Sequence, residues 1–349
     1  MTVIRVGLIG FGLSGRVFHY PIIDAVAGLN LVAVMERRPE NRHLVPDGVR
    51  VVDTPEAIIE DPEIDLVVLA VPNAAHAGLA ERCLLAGKHV VVENPFTVTE
   101  AEAIPLIGLA KRQDRLLSIY HNRRFDADFL TITRLLNEDR LGRIISYEAH
   151  FDRFRLQVKP GWREENVRGS GLVYDLGSHL IDQALCLFGE PHAICAFIRC
   201  ERPEAVVPDA FTIIMDYVEG PLVTLRCTML AREMGPRYVI NGSSGSYVKR
   251  GIDVQEEQLK QGKLPLGEPD WGIEPEEHWG KLYTERDGIP HTEPIRTEDG
   301  DYRLYYENIR DAINQHRPPK VTPEAAAAVI RVIELAIRSS AEGRSLPFR

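Results

Sequence analysis

Residues 6–15 read Val6-Gly7-Leu8-Ile9-Gly10-Phe11-Gly12-Leu13-Ser14-Gly15. The run opens as an apolar, strand-like segment, becomes the spacing Gly-x-Gly-x-x-Gly, and is followed by a helical pattern. In that context Gly10 permits a tight turn, Gly12 lets a pyrophosphate approach the backbone, and Gly15 lets the helix pack closely on the strand. The first amides of the helix add N–H donors and partial positive charge. The context favours a dinucleotide-binding turn over a glycine-rich turn without a ligand.

The composition is that of an ordinary soluble globular protein, with 44% hydrophobic and 26% charged residues. A length of 349 residues predicts two domains. The formal net charge is −10, which argues against nucleic acid or an anionic membrane as the partner. An anionic cofactor is still compatible with this charge, because local groups dominate at a binding site.

The cysteines and the N-terminus bear on the compartment. Five cysteines without a tight spacing pattern fit free thiols in a reducing compartment, and no Cys-x-x-Cys pair suggests zinc. The N-terminus enters a strand pattern directly, unlike a signal peptide, and no apolar run approaches the length of a membrane span. We therefore expect a cytoplasmic protein.

Strand and helix patterns alternate through the first third of the chain. Such alternation predicts an α/β fold, a doubly wound parallel sheet of about six strands, with a Rossmann dinucleotide-binding domain over residues 1–122. The predicted strands are Val3–Ile9, Leu29–Met35, Val49–Val52, Ile64–Val71, His89–Val92 and Leu116–Tyr120, and the main predicted helices are Leu13–Ala27, Ala74–Ala86 and Thr99–Arg112.

The pattern changes after Tyr120, where strand-like segments follow one another at hairpin spacing. Together with a helix over Tyr174–Phe188, they predict an α+β domain over residues 123–349 with an antiparallel sheet. The region Gln255–Thr297 is rich in Gly, Pro and Glu, so it is predicted to be mostly loop. Closing helices are predicted at Tyr302–Asn314 and Pro323–Ser340, and helix 323–340 has the alternative of packing back on the first domain.

A charged segment follows the second predicted strand, at the edge where a cofactor should bind. An acidic residue here favours NAD by binding the ribose hydroxyls, whereas arginines favour NADP by holding its 2′-phosphate. The chain offers both in Glu36-Arg37-Arg38. NADP is favoured modestly and NAD stays open, and a solvated charge cluster is the simpler alternative.

Two further loops follow parallel strands. In Val71-Pro72-Asn73-Ala74-Ala75-His76, Asn73 is expected to cap the next helix and His76 to face the cofactor cleft from its first turn. In Glu93-Asn94-Pro95, the proline keeps Asn94 out of helical conformation at the strand tip.

The most informative run of the second half is residues 169–182. Asp175, His179 and Asp182 lie at helical spacings that put them on one face. An imidazole one turn from a carboxylate suits acid–base chemistry, because its proton affinity is near neutral and the carboxylate fixes its tautomer. A buried polar network that anchors the helix is the second interpretation, and a metal site is the third.

Basic and aromatic residues cluster near the domain junction and in the loop after the next strand. Their hydrogen-bonding capacity suits a polyhydroxylated or anionic substrate, although ion pairing with nearby acids is the better expectation for any single arginine. The residues concerned are Asn122, Arg123, Arg124, Arg153, Arg155, Trp162 and Arg163.

These motifs together resemble the Gfo/Idh/MocA family, which is named after glucose–fructose oxidoreductase and inositol dehydrogenase. The resemblance covers nearly the whole chain and is strongest to NADP-dependent scyllo-inositol dehydrogenases. It rests on residues 10–23 (GFGLSGRVFHYPII), 71–76 (VPNAAH), 86–99 (AGKHVVVENPFTVT), 118–132 (SIYHNRRFDADFLTI), 161–164 (GWRE) and 169–189 (GSGLVYDLGSHLIDQALCLFG).

The resemblance implies a Rossmann domain plus a domain with an open antiparallel sheet, through whose face the family commonly forms homodimers or homotetramers. It implies hydride transfer between a nicotinamide and a hydroxyl-bearing carbon of a cyclitol or sugar. One departure stands out: the family usually has Glu-Lys-Pro where this chain has Glu93-Asn94-Pro95. That lysine assists proton transfer together with the histidine that matches His179, whereas Asn94 has no titratable proton.

The leading hypothesis is therefore an NAD(P)-dependent dehydrogenase with no metal. Its rivals are redox-assisted elimination at a glycoside with tightly held NAD, and a cofactor-binding regulatory protein without turnover. The predicted catalytic positions are Asp175, His179 and Asn94, and substrate contacts are expected from these and from Arg123 and Arg153. The predicted cofactor contacts are Gly10, Phe11, Gly12, Ser14, Gly15, Glu36, Arg37, Arg38, Pro72, Asn73, His76, Glu93, Asn122, Trp162 and Arg163.

Overall fold

The computed structural model describes residues 2–349, and contacts divide the chain into two compact units. The first unit contains residues up to Asn122, with Gln255–Trp271 and Asp301–Ala327. The second contains Arg123–Val254, Gly272–Gly300 and Ala328–Arg349. The sequence predicts one domain over residues 123–349, with the alternative that helix 323–340 packs back on the first domain. In the structure two later segments group with the first unit, and the second of them includes residues 323–327.

A six-stranded parallel sheet forms the centre of the first unit, in the order β3-β2-β1-β4-β5-β6. Its strands are β1 (Ile4–Ile9), β2 (Leu29–Met35), β3 (Arg50–Val52), β4 (Leu66–Leu69), β5 (His89–Val92) and β6 (Leu117–Ile119). All of its neighbouring strands are parallel. The predicted doubly wound sheet is confirmed.

Most α-helices of residues 2–349 lie where the sequence predicts them, whereas the helix at Gln255–Lys260 lies in a region predicted to be mostly loop. They are α1 (Tyr20–Asp24), α2 (Glu56–Ile59), α3 (His76–Leu85), α4 (Glu100–Arg112), α5 (Ala127–Asn137), α6 (Ser178–Phe188), α7 (Gln255–Lys260), α8 (Arg303–Gln315) and α9 (Pro323–Glu342). Thr99 and Glu102 form the predicted capping box of α4. No helix within residues 2–349 is both long and apolar enough to cross a membrane.

The strand interiors explain the stability of the first sheet. Every side chain of β4 is inaccessible to solvent, as are Val90–Val92 of β5. A parallel sheet covered by helices on both faces requires such continuous apolar strands. The β-branched side chains also pack well on the pleated surface.

A nine-stranded sheet forms the second unit, in the order β14-β13-β12-β11-β7-β10-β9-β8-β15. Its strands are β7 (Ile144–His150), β8 (Ala193–Arg199), β9 (Ala210–Asp216), β10 (Leu222–Thr228), β11 (Tyr238–Gly242), β12 (Ser246–Lys249), β13 (Gly280–Arg286), β14 (Ile289–Ile295) and β15 (Leu346–Pro347). All neighbouring pairs are antiparallel except β7 and β10, which run parallel. The sheet is therefore mixed and mostly antiparallel, and the predicted α+β domain is confirmed.

The expectation of loop over Gln255–Thr297 is wrong. This region contains helix α7 and the hairpin of β13 and β14, joined at Asp287 and Gly288, which both have positive φ, 54° and 77°. Asp-Gly is a strong hairpin signal. It was obscured because the hairpin lies at the sheet edge, where polar residues alternate with few apolar ones.

Helix α8 belongs to the first unit because its tyrosines fill that core. Tyr305 and Tyr306 are fully buried and contact the ring of Tyr120 edge-on and tilted, with centroids 4.9 and 5.6 Å away. The hydroxyl group of Tyr305 also lies 3.0 Å from Ser118 Oγ on β6. These contacts join residues far apart in sequence, which is why the pattern alone placed α8 in the other domain.

Candidate functional site

The turn after β1 places three glycines in three different environments. Gly10 has φ +103°, and a Cβ there would lie 2.3 Å from Ala70 O. A Cβ on Gly15 would lie 2.1 Å from Gly10 O, whereas a Cβ on Gly12 would meet nothing within 4 Å. Gly10 and Gly15 are thus required by packing, and Gly12 faces open space. This arrangement fits a pyrophosphate resting against the backbone at Gly12.

The helix that follows this turn starts as a π-helix over Ser14–His19, and only then continues as α1. The amide of Arg16 donates to Gly12 O over 3.0 Å. Phe11 is buried, with its ring centroid 6.4 Å from that of Tyr20. The prediction of one regular helix over Leu13–Ala27 is therefore wrong in its first turns. The π-helical turn is notable here because such turns are frequent at functional sites.

The acidic residue after β2 points inward, and the arginines point outward. Glu36 is 5% exposed, and its carboxylate accepts the amide N–H of Arg38 over 2.8 Å. Arg37 and Arg38 are exposed. Arg38 Nε also donates to the same carboxylate oxygen over 3.4 Å, while both arginine side chains remain exposed.

His76 does not face a cleft as predicted, because it is fully buried. Its Nδ1 lies 2.8 Å from Pro95 O, and its Nε2 lies 2.9 Å from Val71 O. Burial lowers the pKa of His76, so the neutral ring donates to one carbonyl at a time. The side chain joins the two loops that follow β4 and β5, and any effect on a cofactor would be indirect.

The predicted cap of α3 also differs. The helix begins at His76, and its N-cap residue is Ala75 rather than Asn73. Asn73 is buried in a short 3₁₀ turn, while Pro72 before it is exposed. Of this predicted group, Pro72 is the residue that a ligand could reach.

Glu93 and Asn94 lie at the tip of β5. The Glu93 carboxylate accepts the Asn94 amide over 3.0 Å, and it also contacts Ser14 Oγ and His19 Nε2. Asn94 is half-buried. The sequence predicted Glu93 and Ser14 as cofactor contacts but gave no role to His19. A histidine 74 positions away carries no local signal for such a contact.

In the second unit, Asp175 lies in a π-helical turn over Val173–Gly177, and His179 lies in the first turn of α6. Both side chains are half-buried. Asp175 Oδ1 accepts a hydrogen bond from Arg163 Nε over 2.9 Å. The predicted acid–base pair is thus on one helical segment, with a guanidinium held against its carboxylate.

Asp182 has a different role from the other two residues of its predicted face. Its two oxygens accept from Arg124 Nε and Nη2, over 2.8 and 2.6 Å. The next residue, Gln183, donates to Arg123 O over 2.9 Å. These bonds fix α6 to the segment that begins the second unit, which is the anchoring interpretation of the polar face.

Three guanidinium groups surround the buried ring of Phe151. The Cζ atoms of Arg123, Arg153 and Arg237 lie 4.8, 5.1 and 4.5 Å from its centroid. Arg123 is buried and lies 3.4 Å from Asp126, so its charge is offset within the protein. Arg153 is half-buried and is the predicted substrate contact that a ligand could reach.

Arg153 and Asp175 both act electrostatically on one buried thiol, that of Cys227. Burial raises the pKa of the Cys227 thiol, and the charges of Asp175 and Arg153 act on it in opposite directions. Cys227 is itself fixed by a hydrogen bond to Phe151 O over 2.8 Å. One buried thiol therefore has the catalytic candidate and the substrate candidate within electrostatic range.

The remaining predicted contacts divide between the two units. Asn122 is buried at the end of the first unit. Trp162 is half-buried in the second, where the Arg163 guanidinium stacks on its ring at 4.6 Å. Within residues 2–349, no three His, Cys, Asp or Glu side chains are grouped to hold a metal ion.

The comparisons with known proteins cover both units. Residues 4–121 match the oxidoreductase family's NAD-binding Rossmann fold, and residues 133–348 match its C-terminal alpha/beta domain. The chain belongs to the Gfo/Idh/MocA oxidoreductase family. The turn at Gly12 therefore lies in the NAD-binding part of this family's fold, and His179 lies in its C-terminal part.

Relatives in the family align along nearly the full length. The oxidoreductase YdgJ of Escherichia coli (strain K12) is 43% identical, covering 97% of this chain and 96% of its own. A scyllo-inositol 2-dehydrogenase (NADP(+)) of Bacillus subtilis (strain 168) is 40% identical, covering 98% and 95%. The solved structure of the Bacillus subtilis oxidoreductase yvaA, also 40% identical, superposes with a TM-score of 0.95 over 99% of this chain and 98% of that one.

Proposed function

We propose that this protein is an NADP-dependent dehydrogenase. It would oxidise a hydroxyl-bearing carbon of a cyclitol or sugar, or reduce the corresponding carbonyl group. The observation that carries the proposal is that one chain combines the open turn at Gly12 with a helix that carries Asp175 and His179. The inositol dehydrogenase relative supports the substrate class, and its NADP supports the cofactor.

When bound, the nicotinamide gives or accepts the hydride. The chain itself must accept the proton that leaves the reacting hydroxyl. We assign that proton to His179, because an imidazole can both accept and release a proton near neutral pH. Asp175 would fix the imidazole, and Arg163 holds the Asp175 carboxylate in place.

Substrate hydroxyls require donors that the protein has not already used. Among the described residues, no carboxylate partner is found for Arg153, whereas Arg123 lies beside Asp126 and Arg155 beside Glu164. We assign Arg153 to substrate positioning, with Asn94 as an amide donor or acceptor. Arg123 would then act by holding the ring of Phe151 under Arg153.

The choice of NADP rests on the charged segment after β2. Glu36 is buried and accepts from the amide and the Nε of Arg38, and we assign the exposed side chains of Arg37 and Arg38 to a 2′-phosphate. Dissociation constants for NADPH and NADH, with Arg37→Ala and Arg38→Ala, test this. Loss of NADPH affinity alone in both variants supports it, and tighter binding of NADH by the parent contradicts it.

The central test is a screen of inositols, aldoses and glycosides with both cofactors, followed by His179→Ala on the best substrate. We expect turnover to fall by about a hundredfold to ten-thousandfold, because a general base is removed, while cofactor affinity is kept. His291→Ala is the control, since that histidine lies on the exposed hairpin. Equal turnover in His179→Ala and the parent would refute the assignment.

The same screen decides between the proposal and its rivals. Cleavage of a glycoside to an unsaturated or hydrolysed sugar, without net oxidation or reduction of the cofactor, would indicate redox-assisted elimination. Cofactor binding without turnover on any substrate would indicate a regulatory protein. The observation that favours these rivals is Asn94, which holds the position where the family usually has lysine.

We also propose a homodimer or homotetramer through the outer face of the nine-stranded sheet. Phe197, Leu222 and Tyr283 share that face on β8, β10 and β13, and each is 42–51% exposed. Apolar side chains on an open sheet face favour self-association. Light scattering after chromatography should give a multimer, and Phe197→Asp should yield a monomer with the parent's melting temperature.

A further inference from the structure

His19 is a fully buried histidine with both ring nitrogens engaged, at the end of the π-helical turn that follows Gly12. Its Nδ1 lies 2.6 Å from Tyr306 Oη, and its Nε2 lies 3.0 Å from Glu93 Oε2. Its ring lies against that of Tyr120, with centroids 4.2 Å apart. None of the roles assigned above uses this side chain.

The carboxylate partner decides which ring nitrogen must carry a hydrogen. The Glu93 carboxylate only accepts, so His19 Nε2 carries a hydrogen and donates it. The Tyr306 hydroxyl can either donate to Nδ1 or accept from it. Both ring nitrogens therefore have a hydrogen-bond partner in either protonation state, as a buried polar network requires.

The Glu93 carboxylate joins two parts of the predicted cofactor site. Oε2 accepts from Ser14 Oγ in the glycine turn and from His19, and Oε1 accepts from the amide of Asn94. Burial alone would raise the pKa of Glu93, but the charge and hydrogen bond of His19, with those of Ser14 and Asn94, lower it to about 2.

We propose that His19 is a positioning residue for the dinucleotide turn, acting through Glu93 on Ser14 and Asn94. The inference rests on the proposed function, since it assumes that the cofactor lies at Gly12. Loss of His19 would leave the half-buried Glu93 carboxylate with one partner fewer. The glycine turn and the tip of β5 would then lose their common anchor.

The test is dinucleotide affinity as a function of pH, measured by calorimetry on the full chain with NADPH, as the ratio of variant to parent dissociation constants. This ratio cancels the titration of the ligand. The titratable groups that face Glu93 are His19, His76 and Tyr306, and the tyrosines Tyr120 and Tyr305 complete the surroundings. His19→Leu removes only the first of them.

We expect His19→Leu to weaken binding by about tenfold near pH 8, since a hydrogen bond to a charged group is lost. The penalty should shrink toward about pH 5.5, because a carboxyl buried without its partner takes up a proton more readily and stays in place when neutral. In a Glu93→Gln background the same substitution should show no pH dependence. A ratio near one, or a penalty equal at both pH values, would overturn the proposal.

His19→Gln is the conservative variant, because its amide N–H replaces Nε2–H. Affinity within about threefold of the parent at every pH supports the positioning role, and a tenfold loss contradicts it, even if His19→Leu does not fold. If the parent binds neither NADPH nor NADH, the proposed function fails. If the parent binds and both variants bind equally well, only the role of His19 fails.

Discussion

Arg163 Nε donates to Asp175 Oδ1 over 2.9 Å, and the same guanidinium stacks on the Trp162 ring at 4.6 Å. A loop residue that the sequence assigned to the cofactor thus holds the carboxylate assigned to catalysis. Trp162, Arg163 and Asp175 form one contact chain, which brings the loop after β7 to the helical turn that precedes His179.

This contact chain predicts a separation of activity from stability. The Arg163–Asp175 pair is partly exposed, so Arg163→Ala should lower the free energy of unfolding by less than about 1 kcal/mol. Turnover should fall by about tenfold to a hundredfold, because Asp175 loses its fixed position. Chemical denaturation and steady-state rates check the two effects.

The matched control is Arg296→Ala, which breaks a similarly exposed pair with Asp299. It should change neither turnover nor stability appreciably. If Arg163→Ala changes KM but leaves kcat at the parent's value, Arg163 binds substrate directly and does not position Asp175.

A second prediction compares two glycines by the same substitution. Gly12→Ala places a methyl group in open space, so the melting temperature should be unchanged, while the approach of the pyrophosphate is blocked. The loss in cofactor binding should be about 1–3 kcal/mol, or roughly fivefold to 150-fold in Kd. Calorimetry with NADPH measures it.

Gly15→Ala should act on the fold instead. Its Cβ would meet Gly10 O at 2.1 Å, so the free energy of unfolding should fall by about 1–3 kcal/mol. Neither glycine has a positive φ, which makes the added methyl group the relevant difference. Unchanged cofactor affinity in Gly12→Ala would mean that the dinucleotide does not rest on this turn.

The sequence predicts those parts of the fold that neighbouring residues determine, and it does not predict the parts that depend on tertiary packing. The parallel strands and the turn at Gly12 follow from apolar runs and glycine spacing within a few residues. The π-helical turns at Ser14–His19 and Val173–Gly177 have no such signature, because the extra residue per turn depends on packing. The hairpin of β13 and β14 was missed because polar residues dominate an edge.

The site shows the same division. Residue types and spacing predict Gly12, Asp175 and His179, whereas partners distant in sequence decide what each side chain does. His76 contacts Pro95 O, 19 residues later, and His19 contacts Tyr306, 287 residues later. No local pattern encodes either contact.

A third prediction concerns acid stability through His89. Its Nδ1 accepts the amide N–H of Leu116 over 3.0 Å, which requires the neutral ring. Burial and the nearby charge of Arg115 lower its pKa from 6.5 to about 4. The unfolded chain therefore binds the proton first as pH falls. The contribution of His89 to the free energy of unfolding is present above pH 6.5. It should fall by about 3 kcal/mol as the pH is lowered to 4.

His89→Asn isolates this effect, because the amide oxygen can accept the Leu116 N–H without titrating. Urea denaturation at several pH values should show a flatter stability profile for the variant between pH 6.5 and 4. His291→Asn, on the exposed hairpin, is the control and should keep the parent's profile. Identical profiles for His89→Asn and the parent would show that His89 is not protonated on unfolding in this range.

The final prediction concerns Asn94, where the family resemblance implies a lysine that assists proton transfer. No nearby lysine of the first unit replaces it by motif: Lys88 is buried at the opposite end of β5, where its Nζ donates to the carbonyls of Ile64 and Asp61. The Asn94 contact with Glu93 is made by the backbone amide, so a lysine side chain leaves that bond intact. Asn94→Lys should therefore fold like the parent and raise turnover by about a hundredfold, since it adds a group that can carry the proton.

Asn94→Leu is the control of similar size without hydrogen-bonding capacity, and it should lower turnover. Rates on inositols and aldoses, measured against pH, decide the matter: a gain restricted to Asn94→Lys, and lost again in the double variant with His179→Ala, places both residues in one proton path. Equal rates for the parent and Asn94→Lys on every accepted substrate would mean that proton transfer at this position does not limit the reaction.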